Sequence, residues 1–532
     1  MTGAPFPGFL MLFNSLEFLF GFLPLTVAGF FLCGRMGGLR LAMGWLVAAS
    51  LFFYSWWNPP YVLLLFSSIL VNFLLGRRLQ ARPSRPLLAA GVAANLAVIG
   101  YYKYADFFLS SVGGLTGLDL EMEAIFLPLG ISFFTFQQIA YLVDAHRGQV
   151  ERGGFLDYAL FVSFFPQLIA GPIVHHREMM PQFRRRGVLT PDSEAFALGL
   201  GILSIGLFKK VIIADGVARY ATPVFDAAAG GYAPSFFEAW GGTLAYTFQL
   251  YFDFSGYSDM AIGLGLLFGI RLPLNFASPY KATSIIEFWS RWHMTLSRFL
   301  RDYLYIPLGG NRRGSLRRYL NLMITMLLGG LWHGAGWTFV AWGALHGGYL
   351  VVNHAWRALR VRFGRPGPSG GVGRWAARLL TFLAVVVAWV PFRAESFEAA
   401  GRILAGLSGF NGIILPPGWH EGLGPVGETL AALGIRFAYV PGFLFDGMRE
   451  AALLALLTAF VFFAPNTQEW FGYTPDGRPS GSYRTPFTGR VPGLLRGFRP
   501  GYLQGMVMGA LCLAAVVAIF TEVPQEFLYF QF

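Results

Sequence analysis

The sequence predicts an all-α protein that crosses a lipid bilayer many times. Of its 532 residues, 55% are hydrophobic and only 13% are charged, with a mean hydropathy of +0.53. In a typical soluble domain about a quarter of the residues are charged. The apolar residues form runs close to the roughly 20 residues that a membrane-spanning helix needs. We therefore expect one helical bundle in the lipid bilayer rather than several soluble domains.

The apolar runs give the expected elements in chain order. Candidate spans lie at 9–33, 41–57, 60–75, 87–104, 125–143, 155–174, 195–214, 235–252, 257–270, 285–307, 319–340, 341–356, 376–393, 449–465 and 505–522. Several of these are short or broken, so we expect about eleven to thirteen true spans, and re-entrant or interfacial helices for the rest. Residues 11–532 are predicted to form a single transmembrane domain, with its functional motifs between about 125 and 355. Residues 1–10 are interpreted as an N-terminal extension that need not be ordered.

The charge distribution predicts which loops face the cytoplasm. The net charge is +12, from 40 basic and 28 acidic residues. Because the basic residues cluster in short loops between apolar runs, they indicate membrane topology rather than a nucleic-acid partner. The basic loop 34–40 is placed in the cytoplasm, and so are the loops 144–154 and 175–187. A full span between the last two would put them on opposite sides, so the segment 155–174 is predicted to dip into the membrane and return.

Several sequence features exclude other classes of protein. Cys33 and Cys512 both lie in apolar segments, which favours small core residues over a disulfide or a metal pair. The sequence has no P-loop and no HExxH motif, and the adjacent His175 and His176 lie in a basic loop. The eight histidines show no metal-ligand spacing. We expect no bound metal and no nucleotide-driven pumping.

His333 is the strongest candidate for chemistry. No Asp, Glu, Lys or Arg lies between Arg318 and Arg357, and His333 is surrounded by Gly329, Gly330, Gly334, Gly336, Trp332 and Trp337. Ionisable residues inside membranes are usually functional, so a proton-accepting imidazole is favoured. The alternative is a histidine that bonds a neighbouring helix, with glycines that only permit tight helix packing. His346 follows thirteen residues later, and for it the functional and structural interpretations are equally supported.

A second polar stretch, residues 278–314, contains His293. Glu287 and Arg291 are spaced as i,i+4 partners there, and Trp289 lies beside them. One interpretation is an amphipathic helix at the membrane surface with paired charges. The other adds a functional role for His293. Forty residues separate His293 from His333, which is enough for a helix, a turn and a return, so the two imidazoles can meet across a cavity.

Asp253 and Asp259, with Ser255 and Ser258 between them, interrupt the apolar run 246–270. The first interpretation is an ion site of a transporter on a broken helix. The second, which we favour because the break is short, is a helix that starts near Asp259 and is capped by a serine.

Two motifs at a fixed spacing identify a family resemblance. The stretch FWSRWHMTLSRFLRDYLYIPLGG (288–310), followed by LLGGLWHGAGWTFVAWGALHG (327–347), resembles the membrane-bound O-acyltransferase family. The likeness extends over nearly the whole chain, including PLGISFFTFQQIAYLVD (128–144) and FPQLIAGPIV (165–174), and is weakest at 355–378 and 400–500. It implies a fold with a central funnel or tunnel in the bacterial inner membrane.

The resemblance also implies roles for residues. His333 matches the family's catalytic histidine and His293 the assisting one, and the likeness further suggests substrate-binding roles for Trp332, Gly334, Trp289, Arg291 and Asn321. The expected donor is acetyl-CoA or another acyl thioester, used as a substrate, with no bound cofactor. The expected partners are the bilayer and periplasmic acetyltransferases that pass the acetyl group to an exported polysaccharide, with alginate the favoured polymer.

Three alternatives stay open at this point. A related enzyme would transfer D-alanine to teichoic acid. Another would acetylate peptidoglycan or cellulose. The third, from a different class, is a transporter without acyl-transfer chemistry, for which Asp253 and Asp259 are the main argument.

Overall fold

The computed structural model describes residues 11–120, 122, 125–151, 153–364, 370–415, 417–438, 444–475, 501–521 and 527–528. The predicted extension at residues 1–10 lies outside these ranges. The described chain is almost entirely helical, which confirms the predicted fold class. The two strands, Ile414–Leu415 (β1) and Arg436–Phe437 (β2), form one short parallel pair, with Ile414 opposite Arg436.

The helices follow one another closely along the chain. The first nine are Leu23–Trp57 (α1), Pro60–Ala81 (α2), Arg85–Ile99 (α3), Ala105–Thr116 (α4), Ile131–His146 (α5), Phe155–Ser163 (α6), Phe165–Leu168 (α7), His176–Phe183 (α8) and Ser193–Leu207 (α9). The next seven are Asp215–Ala229 (α10), Phe236–Leu267 (α11), Ile285–Trp289 (α12), Met294–Leu300 (α13), Gly314–His333 (α14), Trp337–Arg362 (α15) and Gly371–Arg393 (α16). The last six are Phe397–Leu407 (α17), Gly418–Leu423 (α18), Pro425–Ala432 (α19), Met448–Phe463 (α20), Thr467–Phe471 (α21) and Tyr502–Thr521 (α22). Short π-helical stretches lie at Glu17–Phe22, Gly100–Tyr104, Phe208–Ala214 and Arg301–Tyr305, and 3₁₀ turns at Arg186–Leu189 and Pro279–Lys281.

Contacts within the chain define two compact units. Among the described residues, the first contains those up to Ile212, the segment Phe254–Asn275 and those from Thr467 to Leu528. The second contains Ile213–Asp253 and Phe276–Asn466. Each unit is assembled from distant segments of the chain, so this grouping gives no sequential domain boundary, and the single domain over 11–532 stays a prediction.

Five helical segments are long and apolar enough to cross a bilayer. Among the described residues these are Glu17–Trp57, Pro60–Ala81, Ser193–Ala229, Gly371–Arg393 and Tyr502–Thr521. In most of them half or fewer of the residues are buried within the protein, as expected where apolar side chains face lipid. The protein is therefore a multi-pass membrane protein, while the count of about eleven to thirteen spans stays a prediction.

In the first unit, α1 turns back on itself where the loop 34–40 was predicted. Gly38 has φ +72° and ψ −164°, a conformation open almost only to glycine. Beyond this kink the chain runs back alongside the first half of α1. The Trp45 indole N–H, for example, donates to the carbonyl of Thr26 at 2.9 Å. A Cβ on Gly29 would also lie 2.4 Å from the Trp45 ring. The predicted pair of apolar helices around a basic turn is confirmed.

The segment 155–174 contains two short helices instead of a full span. The longer one, α6, has nine residues and is therefore only about 14 Å long. The loops on either side of the segment meet, since Arg177 donates to Gln149 and Arg184 Nη1 lies 3.7 Å from Glu151 Oε2. The segment is thus too short in helix to be a full span, and its entry into the membrane and return stays a prediction.

The polar run between Asp253 and Asp259 lies inside one unbroken helix, α11. Both interpretations of this run are therefore wrong, since each required the helix to break or begin there. Asp259 accepts from Lys209 Nζ at 2.6 Å, from the Thr467 hydroxyl at 2.6 Å and from Gln468 Nε2 at 2.7 Å. The helix stays continuous because these partners supply the hydrogen bonds that a carboxylate needs when it is buried.

In the second unit, the run 285–307 is not one span. It divides into α12, α13 and a π-helical stretch, and the chain turns between the two helices at His293. The next two helices, α14 and α15, form a tight hairpin that is divided at Gly334–Gly336 instead of at the predicted position, 340/341. His333 is thus the last residue of a helix rather than the middle of a span.

Candidate functional site

His293 and His333 come together, which their spacing of forty residues allowed. Their ring centroids lie 6.4 Å apart at an interplanar angle of 58°. His293 is fully buried and His333 is 4% exposed. Two imidazoles from motifs forty residues apart therefore share one enclosed region of the second unit.

His293 owes its position to an unusual backbone conformation. Its φ of 44° and ψ of 53° are left-handed, and it immediately precedes α13. Among non-glycine residues this conformation costs about 1–2 kcal/mol, and it persists where the surrounding structure compensates for it. The neighbouring Trp292 supplies such packing, with ring contacts to Phe276 at 5.0 Å and to Trp389 at 5.0 Å.

Aromatic rings surround His333. Edge-on contacts come from Trp332 at 5.0 Å, Trp342 at 5.0 Å and Phe392 at 5.3 Å. Trp337, which the sequence placed in this wall, is instead 57% exposed. The imidazole therefore lies in apolar surroundings drawn from three helices, α14, α15 and α16.

The glycines around His333 permit close helix packing and do not leave open space. A Cβ on Gly330 would lie 2.2 Å from the Phe339 carbonyl oxygen, and one on Gly343 would lie 2.4 Å from the Met326 carbonyl oxygen. The space beside Gly334 is filled by the Phe339 ring, 2.1 Å from where its Cβ would be. For these glycines the interpretation as sites of tight packing is the correct one.

The third buried histidine, His346, packs against Trp342 and has a defined tautomer. The Trp289 indole N–H donates to His346 Nδ1 at 3.2 Å. Since Nδ1 accepts, the proton of the neutral ring is on Nε2. His346 is fully buried, and among the described residues no group hydrogen-bonds its Nε2. Trp289 is thus the partner of His346, whose ring lies 4.8 Å from that of Trp342.

Arg291 and Asn321 have hydrogen-bond partners of their own, away from the imidazoles. Arg291 pairs with Glu287 at 2.5 Å and reaches the carbonyl of Ala277 at 3.4 Å, so it fastens the loop before α12. Asn321 donates to the Gly310 carbonyl at 2.9 Å. It is twelve residues from His333 along α14, or about 18 Å at the rise of a helix. The structure therefore gives both residues positioning contacts, and their substrate-binding roles stay predictions.

Three parts of this site were not found from the sequence. Two of them are the rings of Trp342 and Phe392, which contact His333. The third is the hydrogen bond from Trp289 to His346, which joins the motif of His293 to the motif of His333 a second time. Trp342 lies four residues before His346, so helical spacing would have put both on one face. Nothing local marks Phe392, which reaches the site through folding of the chain.

Comparison with known proteins identifies the family. The profile of the membrane-bound O-acyltransferase family (MBOAT) matches residues 122–390, which include both histidine motifs. The chain belongs to this family. It is therefore an O-acyltransferase, as the resemblance of the two motifs predicted.

Named relatives in the family act on different polymers. A peptidoglycan O-acetyltransferase of Helicobacter pylori is 48% identical over 76% of this chain and 81% of its own length. A probable alginate O-acetylase (AlgI) of Pseudomonas aeruginosa is 38% identical over 98% of this chain and its own full length. A teichoic acid D-alanyltransferase of Streptococcus thermophilus is 26% identical over 50% of this chain. The two acetylating relatives match more of the chain than the D-alanylating one does.

Proposed function

We propose that this protein moves acetyl groups from a cytoplasmic acyl thioester to a glycan on the far side of the bacterial inner membrane. The observation that carries the proposal is the His293–His333 pair, two imidazoles 6.4 Å apart among aromatic rings. The high identity to acetylating relatives supports acetyl as the transferred group.

In the proposed reaction His333 acts as the general base. Its neutral imidazole takes the proton of an acceptor hydroxyl as that oxygen attacks the thioester carbonyl. The carbon–sulfur bond then breaks, the thiolate leaves with the proton from the imidazolium, and an acetyl ester has formed. Such proton transfer contributes about 10²- to 10⁴-fold to a rate. His293 assists from the other side of the reacting group.

The aromatic wall supports this assignment. Trp332, Trp342 and Phe392 offer His333 apolar surfaces and keep water away from it. Water would otherwise compete with the acceptor hydroxyl and hydrolyse the thioester.

The donor and the partners follow from the sequence analysis. We infer that acetyl-CoA or another acyl thioester serves as the donor, with no bound cofactor, and that periplasmic acetyltransferases complete the transfer. Alginate is the polymer favoured from the sequence. Peptidoglycan is the second candidate, because the Helicobacter pylori relative is named for it and is 48% identical.

The test uses a deletion strain complemented with wild type, His333→Ala, His293→Ala or His354→Ala. His354 is the matched control, since it lies on α15 outside the histidine pair. We expect His333→Ala to lower acetylation at least about a hundredfold at a normal membrane level, with His354→Ala unchanged. Normal acetylation by His333→Ala would overturn the role of His333 as the general base.

The same strains distinguish the polymers. Ester-linked acetate is measured separately on purified peptidoglycan and on the secreted polysaccharide, and D-alanine is measured on any teichoic acid. Loss of acetate from the secreted polysaccharide alone would assign that polymer. Loss from peptidoglycan alone would assign the second candidate, and loss of D-alanine would exclude acetyl transfer.

A further inference from the structure

A second cluster of chemically active side chains lies in the first unit, built by Asp144, His175 and His176. Asp144 is near the end of α5, and the two histidines directly precede and begin α8. Asp144 and His176 are buried, while His175 is 22% exposed. The proposed acyl-transfer chemistry uses none of the three, and no spacing in the sequence links the two histidines with Asp144.

The two imidazoles converge on one carboxylate oxygen. His175 Nε2 lies 3.0 Å and His176 Nε2 3.1 Å from Asp144 Oδ2. Side chains of successive residues in extended chain point to opposite sides. Here the backbone of His175 is extended (φ −102°, ψ 139°) and His176 already starts a helix. This change of conformation brings both rings to the same side, with centroids 4.6 Å apart.

The separations match those of metal ligands. In a tetrahedral site, ligand atoms that lie about 2.0–2.1 Å from the ion are about 3.3 Å from one another. The two nitrogen–oxygen distances are within a few tenths of an ångström of that value, and all three ligand atoms lie within 4.8 Å of one another. Imidazole nitrogens with a carboxylate oxygen form a donor set that suits Zn²⁺ and similar first-row divalent ions.

The surroundings orient the carboxylate and balance the nearby charge. Arg147 Nη1 lies 3.6 Å from Asp144 Oδ1, the oxygen that does not face the imidazoles. Holding one oxygen in this way directs the other towards a metal. Two arginines of the loop 175–187 have partners of their own: Arg177 donates to Gln149, and Arg184 lies 3.0 Å from Asp157.

We propose that Asp144, His175 and His176 bind one divalent first-row cation of the Zn²⁺ type. Water or a further side chain would complete its coordination. The ion fastens the loop before α8 to the end of α5, and so fixes the two ends of the segment 155–174 to each other. The exposed edge of His175 gives the ion its entry from solvent.

The test begins with the intact wild-type protein, purified in detergent through an affinity tag without histidines. Elemental analysis by mass spectrometry should find about one Zn, Fe, Mn, Co, Ni or Cu per chain. After chelation, added ZnCl₂ should raise the midpoint of thermal unfolding, and CoCl₂ should give the visible absorption of a low-coordinate Co²⁺ site. These measurements need no variant.

Two variants and one control locate the site. Asp144→Asn and His176→Gln should lose at least nine tenths of the bound metal and the response to ZnCl₂. His420→Gln, which changes a histidine outside the cluster, should keep both. Wild-type protein without stoichiometric metal and without a Zn²⁺-dependent shift would overturn the proposal. It would leave a carboxylate that simply accepts hydrogen bonds from two imidazoles.

Discussion

The close contact between α14 and α15 predicts a large effect from adding one methyl group at Gly343. The new Cβ would lie 2.4 Å from the carbonyl oxygen of Met326 and 3.1 Å from Leu327 Cα. A carbon and a non-bonded heavy atom are in ordinary van der Waals contact only from about 3.4 Å, so the two helices would have to separate by about 1 Å. Both neighbours are backbone atoms, which cannot rotate away as a side chain would. Over-packing of this kind costs about 1–3 kcal/mol of stability.

The separation would also move the parts of the site relative to each other. Trp342 adjoins Gly343 on α15, and its ring lies 5.0 Å from that of His333 on α14. A displacement of about 1 Å in a catalytic site can cost about a hundredfold in rate. We therefore expect Gly343→Ala to lower both thermal stability and acetylation, although the new methyl group touches neither histidine.

The assay compares Gly343→Ala with Gly348→Ala. Gly348 is on the same helix, and its added Cβ would meet no heavy atom within 4 Å. In a helix, alanine is more favourable than glycine by about 1 kcal/mol, so the control should be as stable as wild type or more stable. Thermal midpoints in detergent and acetate content in complemented cells are measured for both. If Gly343→Ala matches Gly348→Ala in both measurements, the tight contact does not set the geometry of the site.

Two further predictions concern buried polar groups. Asp259→Asn leaves the Lys209 ammonium without its carboxylate partner at 2.6 Å, and breaking such a buried pair costs about 3–5 kcal/mol. The midpoint of thermal unfolding should fall in Asp259→Asn and should recover in part in the double variant with Lys209→Met. A midpoint lower in the double variant than in Asp259→Asn would contradict the pairing. Asn321→Ala removes the 2.9 Å hydrogen bond to Gly310 and should cost about 1 kcal/mol while acetylation at low temperature is kept. Acetylation as low as in His333→Ala would instead give Asn321 a role in substrate binding.

The sequence predicted most successfully where local chemistry decides the structure. The turn at Gly38 was predicted from two apolar runs around basic residues, and only a flexible residue suits its backbone. For His293 and His333, a spacing of forty residues with a basic turn between them only allowed the meeting that the structure shows.

Two of the errors have the same physical cause, which is partners far away in the chain. The run from Asp253 to Asp259 looked like a break because no partner for a buried carboxylate is visible nearby. Thr467 and Gln468, more than two hundred residues later, bond Asp259 and keep the helix continuous. The same holds for Phe392, since no local pattern marks it as a wall of the His333 site.

His293 and His333 are held in place by different kinds of structure. This difference bears on the proposed roles, in which His333 is the general base and His293 assists. His293 sits at a turn in a left-handed conformation, so its position depends on the tertiary packing that compensates for the strain. His333 ends a regular helix whose glycines press it against α15, so its position depends on helix contact. Two backbones in direct contact, as at Gly343 and the Met326 carbonyl, cannot shift without a cost in free energy. The helix contact therefore supports our proposal that His333 carries out the proton transfer, which needs a constant distance, with His293 assisting.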